Sequence, residues 1–326
     1  MRTAESWILA AVLASALAGP AAAAWPEKPI KVVVPFGPGG TSDQVARNYQ
    51  AAIQEAGLLP QPINIVNVGG HLTVGARQVK DAAPDGYTFL VLHIALMGAE
   101  AAGLADFGWR DFAAVAATGN VCLLPVVRKD SGFDTVDQLL AKAKAAPDTL
   151  LFGVNLGAIN HLAGLMIQES EPGARFRFVQ IGGGAANFAA LTGKQTQVGV
   201  LSTAEVMSFT RKPDGTDNPD SQVKPLAYTG PERFPRLPGV PTLKELGRNV
   251  EFCVDNWWFA PKGTPAEAVR GMAEALRKAQ GTERVGRFEE SQGFASIFVS
   301  GPELEARLAS TYAAIEPVAK LAAQKR

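Results

Sequence analysis

Residues 25–47 read WPEKPIKVVVPFGPGGTSDQVAR, and this stretch decides the fold. Residues 30–34 are a run of mostly branched apolar side chains ending at Pro35, the pattern of a buried strand. Gly37-Pro38-Gly39-Gly40-Thr41-Ser42-Asp43 is a turn of glycines and small polar residues. Val45, Tyr49, Ala52 and Ile53 then fall on one face of a helix. A glycine turn feeding a helix start presents unpaired N–H groups and the positive end of the helix dipole, which suits an anion. The turn contains no Lys or Arg, so backbone and hydroxyl groups would hold that anion.

Working outward, the same design repeats. A strand is predicted over 63–66, a helix over 73–81 after Gly69-Gly70, a turn at Pro84-Asp85-Gly86 and a strand over 87–93. Alternating strands and helices predict a parallel sheet covered by helices. The pattern restarts with a strand over 121–127 and a helix over 134–145, capped by Thr135 or Asp134. A strand over 150–154 runs into Asn155-Leu156-Gly157-Ala158-Ile159-Asn160 and a helix over 161–169. Another, over 176–181, runs into Gly182-Gly183-Gly184 and a helix over 185–191. A strand over 198–201 ends at Ser202-Thr203. In open parallel sheets ligands sit beyond the carboxyl ends of the strands. Two such units facing each other would gather all these turns around one cleft. Residues 212–223 are polar and turn-rich and predict an exposed loop. Thr264-Pro265-Ala266-Glu267 predicts a capping box with Pro at the first helical position, opening a helix to Gln280. Ser300-Gly301-Pro302-Glu303 opens the last helix in the same way.

The chain has 326 residues, 47% of them apolar, with 31 basic and 31 acidic side chains. That length accommodates two domains. The neutral balance gives no electrostatic case for nucleic acid or an acidic membrane surface. The N-terminus differs in kind: Arg2, an apolar run from Trp7 to Ala18, Gly19-Pro20, and an A-x-A site over 21–24. This is the layout of a secretory signal, with cleavage expected at Ala24/Trp25. The run falls well short of the roughly 20 residues that span a bilayer, and no Cys stands near the cleavage point to carry a lipid. Two cysteines occur, Cys122 and Cys253. An oxidising compartment permits a disulfide, and two buried thiols are the alternative.

Enzymatic readings find little support. The dinucleotide pattern G-x-G-x-x-G fits at Gly37 and Gly39 but has Ser42 in third place. The second strand ends in Asn67, where an acidic residue would hold the ribose. A Walker loop needs a Lys that this turn lacks. The nearest match to the hydrolase elbow is Gly153-Val154-Asn155-Leu156-Gly157, with Asn in the nucleophile's place. His71, His93 and His161 have no metal-ligand spacing, and no cofactor is implied. Asp43 suits the first turn of a helix, and Asp85 suits its turn. His161, at a helix start, either packs as a cap or contacts a ligand. Asn256-Trp257-Trp258-Phe259 is an aromatic cluster whose Trp residues are either core or pocket wall.

In combination and in order, several segments are similar to the periplasmic substrate-binding proteins of tripartite tricarboxylate transporters, the Bug or TctC family. They are Trp25-Pro26, Pro29-Ile30, Val33-Val34-Pro35-Phe36 with Pro38-Gly39-Gly40-Thr41-Ser42-Asp43, and Ala83-Pro84-Asp85-Gly86-Tyr87-Thr88. His161-Leu162-Ala163-Gly164, Leu237-Pro238 with Val240-Pro241-Thr242, and Trp258-Phe259-Ala260-Pro261 with Gly263-Thr264-Pro265 complete the set. The resemblance covers residues 25 to the last helix.

It implies an α/β two-domain periplasmic-binding-protein fold, a Venus flytrap of type II-like form with the ligand cleft between domains. The domains would be 25–122 with 257–326, and 123–256, after a signal peptide at 1–24. It implies an extracytoplasmic receptor, not an enzyme, that binds a carboxylic acid and delivers it to a permease of one large and one small subunit. A monomer is the implied form. Carried onto this chain, the ligand contacts would come from Phe36, Pro38, Gly39, Gly40, Thr41, Ser42 and Asp43 on one side. Asn155, Leu156, Gly157, Ala158 and Asn160 would supply the other. His93, His161, Gly183, Gly184, Ser202, Thr203, Asn256 and Trp257 would line the same cleft. Crossover strands near 121–126 and 251–259 would bring Cys122 and Cys253 close at the hinge. The chain departs from the family at Val154, Leu156, Ala158 and Ile159, where relatives carry more hydroxyls. Ser202-Thr203-Ala204-Glu205 also replaces a frequent Asp-Asn. Both departures predict a less polar pocket, for a monoanion or an aromatic or alkyl carboxylate. The readings set against this are an exported α/β enzyme acting on an organic acid and a ligand sensor for a two-component kinase.

Overall fold

The computed structural model describes residues 25–324 apart from residues 213 and 215; the expected leader, residues 1–24, lies outside the described residues. The strands are β1 (Ile30–Val34), β2 (Ile63–Asn67), β3 (Thr88–Leu92), β4 (Phe112–Arg128), β5 (Leu151–Val154), β6 (Arg177–Gln180), β7 (Val198–Ser202), β8 (Val223–Pro225), β9 (Cys253–Pro261) and β10 (Phe294–Val299). The helices are α1 (Thr41–Glu55), α2 (Leu72–Lys80), α3 (Ala95–Ala101), α4 (Val136–Ala145), α5 (Ile159–Glu169), α6 (Gly184–Thr192), α7 (Thr203–Thr210), α8 (Ala266–Gln280), α9 (Glu283–Gln292) and α10 (Gly301–Gln324).

β1 is buried at four of its five residues, as an inner parallel strand covered on both faces should be. It pairs in parallel with β2 on one side and β3 on the other. α1 buries Val45, Tyr49, Ala52 and Ile53, the stripe that the sequence periodicity marks, and Ala46 beside them. β9 adds antiparallel to β3, and the first part of β4 adds antiparallel to β9, from Phe112 opposite Pro261 to Cys122 opposite Cys253. At Leu123 β4 changes partner: Leu123 lies opposite Ser202 of β7, and Val127 opposite Val198. β5 and β6 continue in parallel from β7. The order is β2-β1-β3-β9-β4-β7-β5-β6, with β8 and β10 also on β4. One curled sheet therefore serves two halves, and β4 is the strand they share.

Several expectations need correction. The strand expected over 121–127 is the second part of a 17-residue strand. Its first part, rich in Ala, has weak strand propensity and is held by β9 on one side and β10 on the other. The expected capping box at α8 does not form. Pro265 is the N-cap, without a side-chain bond, and Thr264 Oγ1 instead donates to the Pro261 carbonyl at 2.7 Å. Trp257 and Trp258 are both 1% exposed and belong to the core. Trp258 Nε1 donates to Thr118 Oγ1 at 3.0 Å. Cys122 and Cys253 face each other across the β4–β9 ladder as a disulfide, beside the point where β4 changes partner.

Candidate functional site

Four helices begin just beyond the carboxyl ends of β1, β5, β6 and β7, and all four starts border one cavity. α1 follows Gly40, α5 follows Ala158 and α6 follows Gly183. None of these three N-cap residues makes a side-chain cap. A helix leaves its first-turn N–H groups without partners in the helix, and neither Gly nor Ala can supply one. The fourth start, that of α7, is capped. Ser202 Oγ accepts the Glu205 N–H at 3.1 Å, and Glu205 Oε2 accepts the Ser202 N–H at 2.9 Å.

Phe36, Gly37, Gly40, Thr41, Ser42 and His93 form one wall. Ala158, Ile159, Asn160, Gly183, Gly184, Ala185, Ala186, Val200, Ser202 and Glu205 form the other, with Leu123 of β4 between them. The cavity is about 40 Å³, room for about three water molecules. Anything larger reaches it only when the walls part. Across it, the Thr41 N–H donates to Glu205 Oε1 at 3.0 Å, and the Thr41 and Ser202 hydroxyls lie 2.7 Å apart.

The lining contains no Lys or Arg. Burial holds the His93 imidazole down at about 3, so it is neutral at physiological pH. Its Nδ1 accepts the Ala95 N–H, and its ring stacks on Phe36 at 5.1 Å. The Ser42 hydroxyl is buried without a hydrogen-bond partner. A buried polar atom without a partner is costly, so this one marks a place for a polar ligand atom. Asn160 is spent internally: Oδ1 accepts the Asn155 N–H, and Nδ2 donates to the Gly182 carbonyl.

Not every residue expected at the site reaches the cavity. Phe36, Gly40, Thr41, Ser42, His93, Ala158, Asn160, Gly183, Gly184 and Ser202 line it. Pro38 is exposed. Gly39 shapes the turn, with φ of 83°. The Asp43 carboxylate points back into its own loop, accepting from Gly39 N–H, Arg47 and Asn67. The Leu156 carbonyl and His71 Nε2 lie 3.0 Å apart. Gly157 N–H donates to His161 Nδ1, and the His161 ring packs edge-on against Phe178. Asn155 is fully buried outside the lining. Thr203 Oγ1 donates to the Gly293 carbonyl, and Asn256 Nδ2 to the Gly119 carbonyl. Trp257 sits in the core. Gly37 and Ile159, within the two turns that the sequence marks, also line the cavity, and Leu123, Ala185, Ala186, Val200 and Glu205 line it without having been expected as contacts. For Glu205 the signal was present: Ser202-x-x-Glu205 has the spacing of a capping box.

An α/β sheet shared by two lobes, with helix starts meeting from both sides on one cavity, defines a solute receptor of the periplasmic binding-protein class. The chain belongs to the TctC family, described as "Tripartite tricarboxylate transporter family receptor", whose profile matches residues 32–313. It is 28% identical over 283 residues to the protein BugT of Bordetella pertussis, covering 82% of each chain. Its fold is similar to that of the periplasmic binding protein BugD, with a TM-score of 0.82 and 25% identity over 91% of this chain and 98% of that one. MatC (Rpa3494) from Rhodopseudomonas palustris, solved with bound malate, gives a TM-score of 0.79 and 26% identity over 90% of this chain and all of that one.

Proposed function

We propose that this receptor captures a small organic carboxylate between its lobes and hands it to a membrane permease of one large and one small subunit. The observation that carries the reading is the convergence on one cavity, without a cationic side chain, of three helix starts whose own N-cap residues bring no side-chain cap, together with the unpartnered Ser42 hydroxyl. Helix starts favour a carboxylate by roughly 0.3–1 kcal/mol each, more when shielded from water. The malate bound by MatC accords with this. The lobes in this reading are 25–122 with 257–326, and 123–256. The protein would be exported by its leader, cleaved at Ala24/Trp25, and work as a periplasmic monomer. The apolar share of the lining, with Phe36, Leu123, Ile159 and Val200, favours an alkyl or aromatic acid over a small hydroxy-tricarboxylate.

Titration calorimetry against a panel of carboxylic acids tests the reading. One acid class should bind at micromolar Kd or tighter, and Ser42→Ala should weaken it about tenfold, the worth of a hydrogen bond to a charged group. Absence of binding by every acid, in protein cleared of carried-over ligand by unfolding and refolding, would overturn it.

A further inference from the structure

Glu205 is a buried carboxylate on the wall of a cleft whose helix starts suit anions. Its Oε1 accepts the first N–H of α1 and its Oε2 the N–H of Ser202 at the start of α7. It also lies over the start of α6, where a Cβ built on Gly184 would stand 2.2 Å from Oε1 and 2.1 Å from Oε2. One side-chain carboxylate thus sits where three helix starts meet. The Thr41 and Ser202 hydroxyls also face the carboxylate, and the residue borders the cavity.

We propose that Glu205 sets the charge of the ligand: the receptor, on the reading given above, takes a monocarboxylic acid that offers a hydrogen-bond donor to Glu205. The charge balance argues for it. Burial pushes the Glu205 carboxyl above its usual range, against the N–H and hydroxyl donors of Ser202 and Thr41 that favour its charged form. Four helix starts at about half a positive charge each amount to about two, and Glu205 in its ionised form takes up one. The remainder matches one ligand carboxylate, held by the free N–H groups of α1 and α5 beside the Ser42 hydroxyl. A second ligand carboxylate would meet Glu205 with no Lys or Arg in the lining to separate them, and like charges set together in a dry site repel strongly. A hydroxyl, amide N–H or ammonium at that end would instead donate to the Glu205 carboxylate, which already gathers donors from Thr41 and Ser202.

Matched probes that differ only at one end test this by calorimetry: 4-hydroxybutyrate against succinate, 6-hydroxyhexanoate against adipate, and 4-(hydroxymethyl)benzoate against terephthalate. In the pair of suitable length the hydroxy acid should bind at least about tenfold tighter than the diacid. Glu205→Gln, which keeps the shape and one acceptor oxygen but removes the charge, should bring the two within about threefold. A diacid that binds wild-type protein as tightly as its hydroxy acid would overturn the proposal and leave the carboxylate receptor standing. A preference that Glu205→Gln leaves unchanged would overturn it too. If no acid of either kind binds, the receptor reading falls and this proposal with it. Should Glu205→Gln fail to fold, the wild-type ratio still decides.

Discussion

Asp43 looks like a ligand-binding carboxylate in the sequence and works as a brace in the fold. Burial raises the cost of its charge, but Arg47, the Gly39 N–H and Asn67 outweigh that cost and hold its carboxyl below the usual range. A carboxyl lowered in the folded state stabilises fully above its unfolded pKa of about 3.9. The contribution is lost as pH falls through the lower folded value, because the unfolded chain takes the proton first. Asp43→Ala should therefore cost about 1–3 kcal/mol at pH 7, the worth of hydrogen bonds to a charged group. It should also flatten the acid limb of the stability curve, and urea titrations at pH 7 and pH 3 would measure both effects. Gly39 is needed for its φ of 83°, whereas a Cβ on its neighbour Gly40 would meet only ordinary contacts, the nearest at 3.5 Å. The tight glycine is Gly184, where a methyl group would run into the Glu205 carboxylate. Gly184→Ala should weaken ligand binding about tenfold or more by displacing Glu205, at a stability cost of about 1–3 kcal/mol. Intact affinity would mean that the position of Glu205 is irrelevant to the ligand.

Elements that follow local rules are legible in the sequence. β1, α1, β5 and β7 carry their own apolar periodicity, and the turns after β1, α1 and β5 carry glycine. β4 is not legible in full: Ala113, Ala114, Ala116 and Ala117 carry no strand preference, and only pairing with distant segments makes them a strand. The site divides the same way. Residues in the glycine turns could be named, whereas Leu123 and Val200 reach the cavity through sheet registry, which no local pattern encodes. Side-chain direction is equally hidden, and Asp43 and His161 turn inward to bonds within their own loops. The disulfide lies where β4 leaves one half of the sheet for the other. Replacing Cys122 and Cys253 together by Ser should lower stability by about 2–4 kcal/mol and change ligand affinity less than threefold, since neither cysteine lines the cavity. Intact mass with and without reductant checks the bond itself, and two free thiols in periplasmically expressed protein would contradict it.

At the scale of the molecule the question is whether the two walls part. A cavity of about 40 Å³ cannot admit an acid of several carbons unless they do. A ligand that touches both walls stabilises the closed arrangement because only that arrangement makes both sets of contacts. Away from the cavity, α3 meets the loop between β5 and α5 at Gly98, where a Cβ would stand 2.0 Å from the Gly157 carbonyl oxygen. That oxygen is backbone and cannot step aside as a side chain would, so Gly98→Ala acts as a wedge between the lobes. If the lobes are rigidly joined, the wedge must be absorbed within the fold, and stability should fall by about 1–3 kcal/mol, as for other overpacked sites. If they swing about β4 and β9, the open form accommodates the methyl group at no cost and only closure suffers. Stability without ligand should then stay within about 0.5 kcal/mol of wild type, the range of a neutral substitution, while ligand affinity falls at least about tenfold. Small-angle scattering distinguishes the two outcomes. Ligand should contract the wild-type protein, and the Gly98→Ala protein should need a higher ligand concentration for the same contraction. A Gly98→Ala protein that loses stability without ligand and binds as well as wild type would show that the lobes do not hinge here.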